Sequence, residues 1–315
     1  MILVIVEHDR GQLNELSLQA LAIARDLGPV EAVILGSTGA ELAEILGAHG
    51  VSKVHVADHE LLDDYGPDAW AESAKQVAES IGAEAVLAIG SDRGNEVIAQ
   101  IAARLDAPMV ANVLSITAGE DWRVTRIRWG GSLHEQARLV APLKLATVAP
   151  HAIPGSEVVG PKPEVVTFVP SLSSEGVTRV VDRVTVSAGA TLATAPIVVS
   201  GGRGVGSREG FSTLEKLADQ VGGVVGCSRV ATNNGWRPHS DQVGQTGTRV
   251  APDLYIACGI SGAIQHWVGM MASRTVMAIN TDAEAPMVTK ADYALVGDLH
   301  QVVPAIIEEI RKRKG

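Results

Sequence analysis

The chain has 315 residues, 46% hydrophobic and 20% charged, which is enough apolar material for large cores and excludes global disorder. Single cores rarely grow past roughly 250–300 residues, so two domains are expected. A formal charge of −10 argues against a nucleic-acid partner, since neutralising phosphates requires a basic surface, and fits docking on a partner that carries basic residues.

Met1 leads straight into an apolar run, Ile2 to Val6, with no basic flank or cleavage-like site, so no leader peptide is expected. Leu13, Leu16, Ala20, Leu21, Ala24 and Leu27 follow at helical spacing. Next come a strand run at Val30 to Leu35, a helix at Ala40 to Leu46 and a strand at Lys53 to Ala57. A helix at Pro67 to Ile81 carries Ala71, Ala74, Val77 and Ala78 on one face, before a strand at Ala85 to Ile89 and a helix at Asn95 to Leu105. Continuous apolar strands alternating with amphipathic helices predict a parallel sheet covered on both faces. With aromatics at only 3%, its core has to be built from Ala, Val, Ile and Leu.

From Pro108 to Val186 the pattern turns to short β-rich runs: Val110 to Ile116, Trp122 to Ile127, Leu139 to Val148, Val165 to Val169 and Val177 to Val186. Gly130-Gly131 and Pro161-Lys162-Pro163 punctuate them. These read as extra strands extending the first domain. No loop among them gathers acidic and basic residues into a catalytic pattern.

Ser187-Ala188-Gly189-Ala190 is small and turn-like, and places a boundary between a domain of residues 1–190 and one of residues 191–315. The second series has strands at Ile197 to Val199, Val224 to Gly226, Leu254 to Cys258, Val276 to Ile279 and Tyr293 to Val296. Helices are expected at Glu209 to Val221, Ala263 to Met271 and Val303 to Arg313. The fold class is therefore α/β: an N-terminal parallel-sheet domain with added β-strands, then a C-terminal doubly wound, Rossmann-like domain.

Chemistry concentrates in the second domain. Ser200 to Gly210 (SGGRGVGSREG) follows its first strand and opens a helix, the position of a dinucleotide-binding loop. The fingerprint is imperfect, with Ser207 where a third glycine belongs, so an ordinary turn remains an alternative. The next strand ends in Ser228-Arg229, without the acidic residue that would take a nicotinamide ribose. Arg229 is either a ligand contact at the strand edge or a surface ion pair, and Ala231 to Ser240 reads as a loop. Gly259-Ile260-Ser261-Gly262 again joins a strand to a helix, with His266 about one turn in. Asn280 and Asp298 end later strands. Polar residues thus recur at successive strand ends and outline one nucleotide-shaped groove.

No Ser/His/Asp order, HExxH, P-loop lysine or carboxylate pair stands out. His8, His49, His55 and His59 lie in a stretch without cysteine partners, which argues against a metal site. Cys227 and Cys258 each end an apolar run and read as buried thiols in a reducing compartment. The basic run Arg311 to Lys314 suits the C-terminal end of a helix. No apolar segment approaches the ~20 residues that cross a bilayer, so a cytoplasmic protein that is not membrane-embedded is expected.

These residues carry a close resemblance to the alpha subunit of electron transfer flavoprotein. It rests on SGGRG at Ser200 to Gly204, Ser228-Arg229, QVGQTG at Gln242 to Gly247 and APDLYIACGISGAIQH at Ala251 to His266. Ala278 to Asn280, Ala285-Pro286 and ADYALVGDL at Ala291 to Leu299 continue it in order. The first domain is similar more diffusely, in its strand order and its ILVIVEH opening, while Trp236 and Trp267 look like local variation.

The resemblance implies an electron carrier without substrate turnover of its own, holding one FAD and paired with an electron transfer flavoprotein beta subunit. It implies acyl-CoA or other flavin dehydrogenases as donors, a membrane quinone oxidoreductase as acceptor, and a stabilised flavin semiquinone. Carried over by position, Arg203, Ser228, Ser261, Gln265, Asn280, Asp298 and Leu299 would hold the pyrophosphate, ribose and adenine side. Gln242, Val243, Gly244, Gln245 and Thr246, with Arg229 and His266, would surround the ribityl chain and ring. Gly262, Ala263 and Ile264 complete the second turn. Arg229 would supply a permanent cation, Thr246 a hydrogen bond to flavin N5, and His266 one to the N1/C2=O edge. Two other readings stand beside this one: a pyridine-nucleotide dehydrogenase, which lacks its ribose acid, and a nucleotide-sensing module resting on the first domain alone.

Overall fold

The computed structural model describes residues 1–158, 160, 162–175, 177–181 and 191–314. The chain divides into two compact units, Met1–Thr185 and Val186–Gly315. The turn expected at Ser187 to Ala190, Pro161 and residues 182–186 of the last expected strand lie outside the described residues, and 177–181 form no strand.

The first unit runs β1 (Ile2–Val6), β2 (His8–Asp9), β3 (Gln12–Leu13), α1 (Ser17–Leu27), β4 (Val30–Leu35), α2 (Ala43–Gly47), β5 (Val51–Ala57) and α3 (Pro67–Ser80). It continues with β6 (Ala85–Ile89), α4 (Asp92–Arg104), β7 (Met109–Thr117), β8 (Trp122–Arg128), β9 (Leu133–Leu139), β10 (Lys144–Val148) and β11 (Glu164–Phe168). Nine strands form one sheet, in the order β11-β5-β4-β1-β6-β10-β7-β8-β9. Every pairing is parallel except β7 with β8 and β8 with β9.

Burial explains the composition of this sheet. All five residues of β1 and all six of β4 are buried, because helices cover both faces of the parallel part. One face packs on α1 and α2 through Leu21, Ala24 and Leu46, the other on α3 and α4 through Trp70, Ala74, Val77 and Ile98. α3 starts with Pro67, whose missing N–H is no loss in a first turn. α4 starts under Ser91, whose hydroxyl accepts from Gly94 N at 2.9 Å. The single run expected from Leu139 to Val148 is two strands in the structure. β9 ends at Leu139, and β10 enters the parallel sheet five residues later at Lys144.

The second unit runs β12 (Ile197–Gly201), α5 (Phe211–Val221), β13 (Val224–Cys227), α6 (Arg229–Asn233), β14 (Leu254–Cys258) and α7 (Ile264–Met270). β15 (Val276–Asn280), α8 (Pro286–Lys290), β16 (Tyr293–Val296) and α9 (Leu299–Lys314) complete it. Its five strands are all parallel, in the order β13-β12-β14-β15-β16. Counted within the unit this is the order 2-1-3-4-5, a doubly wound sheet that reverses direction between its first and third strands. α5 and α9 cover one face around Phe211, Leu214 and Val303, and Tyr255, Met270 and Met287 fill the other.

Two differences from the sequence expectation bear on the site. The loop expected from Ala231 to Ser240 contains most of a short helix, so Arg229 stands at the first position of α6. α9 begins at Leu299 and carries Pro304 inside it, because Asp298 accepts two backbone bonds, from Gln301 N and Val302 N, that start the helix early. At the sheet edge, all four residues of β16 are exposed, including Tyr293 at 67% and Val296 at 60%.

Candidate functional site

In a sheet of this order, ligands bind outside the carboxyl ends of the strands where the winding reverses, here between β12 and β14. A cavity of about 440 Å³ lies at that position, within the usual size range of ligand sites. The turn after β12 contributes Arg203 and Gly204, the turn after β13 contributes Ser228, Arg229 and Val230, and the turn after β14 contributes Gly259, Ile260 and Ser261. The start of α7 supplies Ala263, Gln265 and His266, and the end of β15 supplies Asn280 with Asp282 and Ala285 beyond it.

The two glycine turns interlock through their backbones. Gly204 N donates to Gly259 O at 3.0 Å, and Gly202 N donates to Cys258 O at 2.9 Å. A Cβ on Gly202 would stand 2.4 Å from Gly259 O. These glycines are required for one turn to approach the other, in addition to any approach of a phosphate. Gly259 and Gly262 also take φ of +61° and +83°, which a side chain would strain.

The polar lining is short of partners. Ser228 Oγ is buried and has no hydrogen-bond partner, and its hydroxyl does not cap α6. His266 Nδ1 is likewise buried beside the Val243 backbone without a well-formed hydrogen bond. α7 begins at Ala263 without a side-chain cap, so the donor-rich end of that helix borders the cavity. Asn280 is turned by its Nδ2 bond to Ile260 O at 3.0 Å and accepts from Asp282 N at 3.1 Å. With two guanidinium groups at the rim, the arrangement suits an anionic ligand rich in oxygen.

His266 is almost wholly enclosed. Its Nε2 lies 2.8 Å from the Tyr255 hydroxyl. Burial drives its pKa down to about 4, with only the Val243 backbone opposing, so the ring is neutral at pH 7. Burial also raises the Tyr255 phenol and pushes both Cys227 and Cys258 up to about 12, which leaves two protonated, unreactive thiols.

The cavity brings together Arg203, Ser228, Arg229, Ser261, Ala263, Gln265, His266 and Asn280 from the sequence expectation. Gln242 to Thr246 do not line it in this structure but back onto it. Gln242 is 2% exposed; its amide meets Thr232 Oγ1 at 2.8 Å and donates to Thr246 Oγ1 at 3.0 Å. Val243 is buried in the core, Gly244 sits against the Gln265 carbonyl, and Gln245 N donates to that carbonyl at 2.7 Å. Gly262 packs against Met287, and Ile264 is 60% exposed. Asp298 is exposed and binds His300 N at 2.9 Å, while Leu299 is a core residue lying against Gly259. The sequence reading assigns no site role to the cavity residues Val230, Asp282 and Ala285, the last quoted there only as part of the resemblance. Only position in the fold identifies them, as each follows a strand end already singled out. Among the described residues no three His, Cys, Asp or Glu side chains gather into a metal-binding group, and no helix is long and apolar enough to cross a membrane.

Comparison with known proteins gives this geometry a family. Residues 2–173 match the electron transfer flavoprotein domain, and residues 191–271 match the electron transfer flavoprotein FAD-binding domain. The chain is 40% identical over 317 aligned positions to electron transfer flavoprotein subunit alpha of Mycobacterium tuberculosis, covering 100% of this chain and 99% of that protein. It is 34% identical to the Bacillus subtilis subunit alpha, covering 99% of this chain and 97% of that one. The probable mitochondrial subunit alpha of Caenorhabditis elegans is 36% identical, with 96% and 92% covered. A donor-lined cavity at the switch point of a parallel sheet, bordered by Ser228 and His266 whose buried side chains keep orphaned polar atoms, fits the cofactor of that domain. The chain belongs to the electron transfer flavoprotein alpha-subunit family, and its C-terminal part is the family's FAD-binding domain.

Proposed function

We propose that this chain holds FAD within a heterodimeric electron carrier, paired with an electron transfer flavoprotein beta subunit and without substrate turnover of its own. The observation that carries the reading is the convergence of Arg203, Ser228, Arg229, Ser261, Gln265 and Asn280 on one cavity. Acyl-CoA or other flavin dehydrogenases are the electron donors in this reading, and a membrane quinone oxidoreductase is the acceptor. The bound flavin supplies the redox chemistry, including a stabilised one-electron state, and the chain's residues set its charge and access.

On the phosphate and adenosine side, Arg203 is a permanent cation, and Ser228 and Ser261 offer hydroxyls beside the start of α7. Gln265 and Asn280 give amide donors and acceptors, Asp298 serves the adenine end, and Leu299 keeps the Gly259 turn in place. On the ring side, Arg229 supplies fixed positive charge, Thr246 a hydroxyl directed by Gln242, and His266 a neutral ring nitrogen. Gln242 and Val243 act from behind. In this reading residues 1–190 form the domain that contacts the beta subunit and residues 191–315 the domain that holds the cofactor.

Co-expression with the beta subunit tests the reading. A yellow heterodimer with a flavin visible spectrum, reduced in single-electron steps by an acyl-CoA dehydrogenase and its substrate, is expected. A colourless, folded heterodimer that ignores added FAD would overturn it.

A further inference from the structure

Tyr255 is the second residue of β14 and has no solvent exposure, and its hydroxyl is 2.8 Å from His266 Nε2. The two rings meet edge to face, with centroids 6.1 Å apart and planes at 62°. A neutral imidazole carries one N–H, so whichever nitrogen accepts a hydrogen bond leaves the other as the donor. The Tyr255 hydroxyl has two polar neighbours, His266 Nε2 and Ser200 Oγ. Only the imidazole stands in hydrogen-bonding geometry, since Ser200 Oγ makes no well-formed bond.

We propose that Tyr255 is a positioning residue that donates its hydroxyl proton to His266 Nε2 and so fixes the tautomer in which Nδ1–H is the ring's donor. Burial keeps both groups neutral, so neither charge competes with this arrangement. Nδ1 is enclosed beside the Val243 backbone, so an N–H there points at a backbone acceptor, whereas a bare Nδ1 lone pair would oppose it. The inference rests on the FAD reading in one respect: the cavity bordered by the His266 ring held in this way is taken to be the flavin's.

Nitrogen-15 NMR of the flavin-loaded complex, labelled at histidine, tests it directly. The His266 signals are identified by their loss in His266→Gln. A protonated Nδ1 and an unprotonated Nε2 are expected, and the reverse would overturn the proposal. Tyr255→Phe conserves the ring volume; it should shift the His266 nitrogen signals while flavin content stays unchanged. Unaltered nitrogen signals in that variant would also overturn it. A wild-type complex without flavin would count against the FAD reading instead, and the nitrogen signals of that complex would still decide which way the Tyr255–His266 bond runs.

Discussion

Gly204 and Gly259 occupy each other's side-chain space: a Cβ on Gly204 would stand 2.8 Å from the Gly259 Cα, and one on Gly259 would stand 2.7 Å from the Gly204 Cα. Both obstacles are backbone atoms and cannot rotate away. Gly259→Ala also has to hold φ near +61°, so it is expected to cost on the order of 1–3 kcal/mol. It should also release flavin by spreading the two turns. Gly204→Ala should do the same with a smaller loss, since only the contact is broken. Flavin absorbance after gel filtration, paired with urea unfolding, checks both.

His266 makes stability depend on pH in a defined direction. Its folded pKa is pushed down to about 4, and a histidine in an unfolded chain titrates near 6.5, so the unfolded state binds the proton first as pH falls. The stabilising effect of the neutral ring is complete above about pH 6.5, falls by about 2 kcal/mol by pH 5, and is exhausted below about pH 4. His8 is shifted the same way by burial, which is why the comparison has to be with His266→Gln. Wild type should lose more stability than the variant between pH 7 and pH 5, as measured by denaturant midpoints.

Gln242 joins Thr232 and Thr246 through both ends of one buried amide. Gln242→Leu keeps the volume and removes both bonds, while Thr232 Oγ1 keeps its bond to Arg229 O and Thr246 is exposed, so a loss of about 0.5–1.5 kcal/mol is expected. The urea midpoint should fall with the slope unchanged. If Thr246 is oriented by this amide, the visible flavin spectrum should shift as well, which a packing defect alone would not produce.

Arg229 is exposed at the start of α6, and among the described residues its guanidinium makes no ion pair. Arg229→Ala should therefore change folding stability by no more than about 0.5 kcal/mol. Removing a permanent cation from the cavity rim should lower the potential for the first electron, and Arg229→Lys should restore part of it. A spectroelectrochemical titration of the heterodimer decides the point. An unchanged first potential would remove Arg229 from the ring environment.

Strands buried on both faces are the part of this fold most open to reading. Ile2–Val6, Val30–Leu35 and Leu254–Cys258 are apolar runs interrupted only by Glu31, and their bounds in the structure match the pattern residue for residue. β9 escapes the pattern because it lies at the exposed edge of the sheet. Its sequence LHEQARL is mostly polar, and pairing with β8 holds it, including a 2.6 Å contact between Arg126 and Glu135. α6 escapes because Asn and Thr favour turns, and the helix forms only where Ser228 O accepts from Ala231 N after β13. The cavity residues were foreseeable since topology brings strand ends together. What Gln242 and Tyr255 do was not, because a buried amide or phenol acquires its role from the atom it meets across the fold.

β16 gives the second sheet an open margin. One side pairs with β15, while among the described residues the other pairs with no strand and leaves a row of backbone donors and acceptors among Tyr293, Leu295 and Val296 side chains. Such a margin is a template for recruiting another strand. The chain produced by itself should therefore form concentration-dependent aggregates, with light scattering rising well before any loss of helical signal. A lysine at Leu295 should suppress this without disturbing the fold. Handling this polypeptide then becomes a question of colloidal behaviour, set by four residues far along the chain.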